Sequence, residues 1–159
     1  MTPPGPEPKF LADSMLGKLA RWLVLLGYDA RYAHGAGVAD LELLEAAHRE
    51  GRVFLTRDTK IPAVAGLRMI VVRGQRFEDQ LKQVQRELDL KPDRKRLFTR
   101  CTYCNIALEE LPRAAALPLV PPLVRELQTP FFRCGSCKRM YWSGTHTDRT
   151  IKRLEKLGL

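Results

Sequence analysis

Three aspartates, Asp13, Asp40 and Asp58, each stand where an apolar or loop segment gives way to a new element, in a chain whose formal charge is +9. If the runs before them are parallel strands, the three carboxylates gather at one edge of one sheet, where open α/β folds bind their ligands. Hard cations such as Mg²⁺ or Mn²⁺ take oxygen ligands and keep several waters. Three acids facing a phosphate-binding surface could therefore support metal-assisted phosphodiester cleavage. Lys18 and Arg57, near the same edge, are expected to steady the phosphate. Each acid also has a structural reading: Asp13 and Asp40 suit helix N-termini, and Asp58 in Thr56-Arg57-Asp58 suits a turn. Jointly the balance shifts, because converging acids repel one another and a shared cation removes that cost. Glu78 and Asp79 are read as favourable charge in the first turn of a helix.

Cys101-x-x-Cys104 and Cys134-x-x-Cys137 form two knuckles, and the chain has no fifth cysteine. Four sulfurs close a tetrahedral site in the manner of structural zinc, with no position left for water or substrate. The 29 residues between the pairs exceed the usual finger spacing, which predicts a zinc ribbon with a long excursion. Two redox dithiols would need two helix starts that lower a thiol pKa, and the sequence offers none. After the second knuckle, Tyr141 and Trp142 either stack on bases or pack against the ribbon, beside His146. His34 is read as a loop residue and His48 as a partly buried helix residue.

The elements that must position these groups follow from periodicity. Lys9 to Asp13 reads as a buried strand, with Ser14 capping a helix whose apolar positions are Met15, Leu19, Trp22, Leu23 and Leu26, up to a stop at Gly27. Tyr28 to Ala33 is a second strand, followed by the Gly35 to Gly37 loop. A helix over Asp40 to Arg49 is closed by Gly51, with Leu41, Leu44, Ala47 and His48 on its buried face. Arg52 to Thr56 and Leu67 to Val72 are further strands, and Phe77 to Leu88 is an amphipathic helix. This alternation predicts an α/β fold with a mainly parallel sheet. Prolines in Leu117 to Pro122 forbid a long helix there, and 148–159 reads as a closing basic helix.

Composition sets the frame. At 159 residues, 45% hydrophobic and 28% charged, the chain suits one core with a small attachment, and no apolar run nears the roughly 20 residues that span a bilayer. Residues 1–8 are proline-rich without the pattern of a signal peptide, so a disordered tail and a cytoplasmic location are expected, with reduced thiols. The domains are expected at 9–90, 91–147 for the ribbon and 148–159 for the helix. Residues 1–90 carry 13 Lys and Arg against 12 Asp and Glu, while 91–159 carry 14 against 6. That division suggests a first half that does chemistry and a second half that holds a polyanion.

Taken together, Phe10-Leu11-Ala12-Asp13-Ser14-Met15-Leu16-Gly17-Lys18-Leu19-Ala20-Arg21-Trp22-Leu23, Leu26-Gly27-Tyr28-Asp29, Leu55-Thr56-Arg57-Asp58 and both knuckles with Tyr141-Trp142-x-Gly144-x-His146 carry a resemblance. From Phe10 onward the chain resembles the Mut-seven C-terminal ribonuclease domain family, a PIN-like nuclease domain with a zinc ribbon. The resemblance implies a three-layer PIN-like α/β/α core, an acidic metal site onto which Asp13, Asp40 and Asp58 map, and RNA as substrate, including structured RNA such as tRNA or rRNA. Thr59 and Thr145 depart from the pattern, both outside the expected ligands. The expectation is a metal-dependent endoribonuclease with a catalytic Mg²⁺ or Mn²⁺ and a structural Zn²⁺. The alternative is a non-catalytic RNA-binding or adaptor protein built on the ribbon. A phosphoacceptor domain would want paired aspartates after the first strand, and none is present.

Overall fold

Apolar residues on both faces of Lys9–Ala12 (β1) and Arg52–Thr56 (β3) place these two segments at the centre of a parallel sheet covered on both sides. With Ala30–Tyr32 (β2) and Met69–Val71 (β4), they pair in the order β2-β1-β3-β4, every pair parallel. The structure, a computed structural model, describes residues 7–33 and 40–159. The expected proline-rich tail, apart from Glu7 and Pro8, and the loop with His34, Gly35 and Gly37 lie outside the described residues.

Three helices cover the sheet: α1 (Gly17–Leu25), α2 (Asp40–Arg49) and α3 (Phe77–Leu88). Leu11 and Phe54 pack with Leu43, Leu44 and Ala47 of α2. Side chains alternate along a strand, so buried Phe10, Ala12, Val53 and Leu55 face the other side, where α1 and α3 pack on each other. There Trp22 stacks on Phe77 with ring centroids 4.9 Å apart.

Arg52 ties the strand starts together at the edge of the sheet opposite the acids. Its guanidinium donates to Asp29 at 2.6 Å, to Glu50 at 2.5 Å and to the Phe10 carbonyl at 3.3 Å. Burial opposes its charge, but the hydrogen bonds to Asp29 and Glu50 outweigh that and raise its pKa. Glu50 is held below the usual carboxylate range, chiefly by the hydrogen bond from Arg52, against its own desolvation, and further by Arg31. Removing one partner of a largely buried ion pair strands the others, so Arg52→Ala is expected to cost about 2–4 kcal/mol in urea unfolding. A depressed carboxylate pKa contributes stability above its ordinary value near 4.5 that is lost as pH falls through the folded value. Between pH 7 and 3, Glu50→Gln is therefore expected to lose less stability than the unmodified protein.

The chain divides into two compact units, 1–98 and 99–159. The boundary thus falls eight residues beyond the one expected after Leu90. Phe98 donates its N–H to the Leu25 carbonyl at 2.9 Å, and Arg96 donates to the Gly27 carbonyl at 2.9 Å while its guanidinium lies over the Tyr28 ring. Gly27 has φ +90°, and a Cβ there would stand 2.5 Å from the Arg96 carbonyl oxygen. Only glycine allows both that backbone conformation and that approach.

In the second unit Leu108–Leu111 (β5), Phe131–Cys134 (β6) and Met140–Trp142 (β7) form an antiparallel sheet in sequence order. The long excursion builds a small core of Ala116, Val120 and Phe131, joined by Leu111, Leu117, Val124, Met140 and Trp142. It contains a short helix, α4 (Arg113–Ala116), and 3-10 turns at Leu117–Leu119 and Pro122–Glu126. The closing helix, α5 (Thr145–Lys156), starts three residues earlier than expected, where the Gly144 N–H donates to Thr147 Oγ1 at 2.7 Å.

Several side-chain expectations need correcting. Asp13, not Ser14, is the N-terminal cap, and it caps a 3-10 turn over Ser14–Leu16 before α1 begins. That tighter turn shifts the helical phase, so Leu16 is buried and Met15 is 68% exposed. On α2, Leu43 joins Leu44 and Ala47 on the buried face, while Leu41 and His48 are exposed.

Candidate active site and metal centre

The two central strands leave their carboxyl ends in opposite directions, β1 through α1 to β2 on one side and β3 to β4 on the other. Such a switch of direction opens a crevice at the strand ends, the place where open α/β sheets hold ligands. Asp13 follows β1 at that point, and Thr56, Arg57 and Asp58 follow or end β3. Asp13 is 8% exposed. Its Oδ1 accepts from the Met15 N–H at 3.0 Å, and its Oδ2 accepts from the Thr56 hydroxyl at 2.7 Å and the Arg57 N–H at 2.9 Å. The Thr56 oxygen accepts in turn from the Asp58 N–H at 3.0 Å, and Asp58 Oδ1 accepts from the Lys60 N–H at 2.8 Å.

Asp13 and Asp58 thus stand at the ends of adjacent strands, with the Asp58 backbone two hydrogen bonds from the Asp13 carboxylate and the Asp58 side chain turned to the Lys60 N–H. Asp40 opens α2 and is exposed. Lys18 is exposed with its ammonium 4.5 Å from the Phe77 ring centroid, and Arg57 is half-buried and reaches Asp13 through its backbone N–H. Thr56, fully buried, links the two acids, a role the sequence reading did not give it. Its signal was a hydroxyl two residues before an aspartate at a strand end, the spacing of a side-chain-capped turn. Glu78 lies beside Arg76, 3.7 Å away, and Asp79 shares the first turn of α3 with it.

The four cysteines meet. Their ligand atoms all lie within 4.8 Å of one another, and among the described residues theirs is the one group of three or more acid, cysteine or histidine side chains placed to hold a metal ion. Tetrahedral Zn–S bonds of about 2.3 Å put neighbouring sulfurs roughly 3.8 Å apart. Cys101 Sγ and Cys137 Sγ are 3.7 Å apart. In each knuckle a backbone N–H donates to the first sulfur, Cys104 to Cys101 at 3.3 Å and Cys137 to Cys134 at 3.4 Å. Burial works against the Cys101 thiolate. Hydrogen bonds from the Tyr141 hydroxyl, the Cys104 and Tyr103 N–H groups and Cys134 overcome it and lower the thiol to about 6. Tyr141 is pushed up to about 12, by burial first and then by Cys101, so the phenol stays protonated and donates to the sulfur 3.1 Å away. A thiolate is the form that ligates metal, so the cluster could form a zinc site.

The Mut7-C RNAse domain matches residues 8–154, which takes in the acid site and both knuckles. The chain belongs to that family. A human relative of this Mut7-C chain, the Exonuclease mut-7 homolog of Homo sapiens, is 31% identical over 102 residues, 61% of this chain and 12% of that protein. The Mut7-C chain thus spans a small part of the relative it matches. No solved structure matches it. Family and relative together support a nuclease-type function with a nucleic-acid substrate. No helix among the described residues is long and apolar enough to cross a membrane.

Proposed function

We propose that this Mut7-C protein is a metal-dependent endoribonuclease whose acid site lies at the carboxyl ends of β1 and β3. The observation that carries the reading is the hydrogen-bonded link from the Asp13 carboxylate through the Thr56 hydroxyl to the Asp58 backbone at the switch point of the sheet. Mg²⁺ and Mn²⁺ sites often use one or two carboxylates and complete their shell with water and substrate phosphate. The donor set fits: Asp58 Oδ2 carries no described hydrogen bond, and the three bonds to Asp13 leave one of roughly four acceptor positions open. Asp40, exposed at the start of α2, is not grouped with Asp13 and Asp58 in this structure and is proposed to act on the ion through water. Such an ion would activate a water and stabilise the leaving oxygen. Thr56 and the Arg57 N–H fix the Asp13 carboxylate, and the Lys18 and Arg57 side chains supply positive charge for the scissile phosphate.

The four cysteines are assigned a structural Zn²⁺, because a closed sulfur tetrahedron leaves no place for substrate. The second unit, with Arg149, Lys152 and Lys156 exposed along α5, supplies phosphate affinity, so RNA binding weakens steeply with salt. The capping bonds of Asp13 and Asp58 favour a second reading, a non-catalytic RNA-binding protein. Linear and circular RNAs incubated with the protein and Mn²⁺ distinguish the cases. Cleavage of the circle supports an endonuclease; trimming of linear RNA with the circle intact indicates an exonuclease; no cleavage of any RNA supports the binding protein.

A further inference from the structure

Among the described residues of the first unit, three large apolar side chains are exposed: Met15 at 68%, Tyr32 at 38% and Leu41 at 66%. Singly, such residues are ordinary on a protein surface. Their common address is not. Met15 lies in the turn after β1 and donates its N–H to Asp13. Tyr32 ends β2 in register with Ala12, the residue before Asp13. Leu41 follows Asp40 at the start of α2. All three therefore stand at the carboxyl edge of the sheet, among the acids, whereas the opposite edge carries the ion pairs of Arg52.

The Tyr32 ring also has a defined seat. It lies against Gly17 at the start of α1, where a Cβ would stand 3.3 Å from Tyr32 Cε2. A phosphate held among the acids brings its own sugar and base with it, and the chemistry that receives a base is an aromatic face with a polarisable neighbour. We infer that Tyr32 is a nucleobase-stacking residue of this site, taking an unpaired base beside the scissile phosphate with Met15 alongside. A duplex hides its base faces, so this contact is available only to a looped, bulged or terminal nucleotide. The inference rests on the nuclease reading and adds to it the residue that places the substrate.

Tyr32→Ala and Tyr32→Phe in the full chain test it, read by cleavage of a short unpaired RNA in Mn²⁺ and by the fluorescence of 2-aminopurine in the same RNA in Ca²⁺. Base–aromatic stacking predicts that Tyr32→Ala lowers kcat/KM roughly 5- to 150-fold and that Tyr32→Phe restores it. Quenching of 2-aminopurine on binding should follow the same order, measured well below the melting temperature of each variant. Equal cleavage and equal quenching by Tyr32→Ala and the unmodified protein overturn the inference while leaving the nuclease reading in place. If the unmodified protein cuts no RNA, the nuclease reading fails and quenching alone decides: dependence on Tyr32 retains it as a base-binding residue, and no dependence removes it.

Discussion

Asp58→Asn is expected to fold like the unmodified protein and to cleave RNA at least roughly 100-fold more slowly. The reason is that the substitution separates the two roles open to this residue. Asn keeps the side-chain oxygen that accepts from the Lys60 N–H at 2.8 Å, so the turn after β3 survives. What is lost is the negative charge and the second carboxylate oxygen. A residue that only caps a turn would tolerate the change with full activity. Asp13→Asn is a harsher substitution. Its Oδ2 accepts from both the Thr56 hydroxyl and the Arg57 N–H, and an amide NH₂ turned toward either would leave a buried donor unpaired. A stability loss of about 1–3 kcal/mol is expected there in addition to lost cleavage. Unfolding curves and single-turnover rates on the same preparations distinguish the effects.

Removal of the Zn²⁺ proposed at the four cysteines is expected to unfold residues 99–159 while the four-stranded sheet of the first unit persists. The core of the second unit centres on three buried residues, Ala116, Val120 and Phe131. A unit of this size carries only a few kcal/mol of stability, whereas a structural zinc site supplies on the order of 10 kcal/mol. Cys101→Ser should reproduce the effect, since Cys101 is fully buried and hydroxyl oxygen is a poor substitute for thiolate. Amide exchange is the measurement. Protection should vanish across the second unit on chelation and remain at β1 and β3; protection that survives in β5 to β7 without metal would contradict the zinc assignment.

How much of this was legible in the chain varies by physical cause. The bounds of α2 and α3 and of β3 follow from local chemistry, such as Gly51 at φ +62° after α2, and the structure places them where periodicity does. The knuckles were legible because their spacing is itself the geometry. Met15 was misread because a 3-10 turn capped by Asp13 intervenes before α1, and three residues per turn do not keep the phase of a 3.6-residue count. A boundary after Leu90 was expected because a basic run resembles a linker, whereas the first compact unit runs on to Phe98. Yet the long side chain of Arg96 lies over Tyr28 and bonds to Gly27, a contact across 69 positions that composition does not register.

That boundary also revises the charge argument. With residues 91–98 in the first unit, it carries 17 Lys and Arg against 13 Asp and Glu, and the second carries 10 against 5, so the excess is +4 and +5. The basic surface is shared rather than confined to the ribbon, and both units can contribute phosphate affinity. The places of Asp13 and Asp58 at the ends of β1 and β3 were legible from the strand pattern. The role of Thr56 was not, because it depends on β1 and β3 lying side by side.

Diffraction at the manganese edge from crystals of the protein soaked in Mn²⁺ with a short uncleavable RNA is the most direct measurement. An anomalous peak at roughly 2.0–2.3 Å from carboxylate oxygens of Asp13 and Asp58, at the ends of β1 and β3, is the predicted result. Manganese bound elsewhere, or no peak at those carboxylates with RNA in place, would contradict the proposed chemistry.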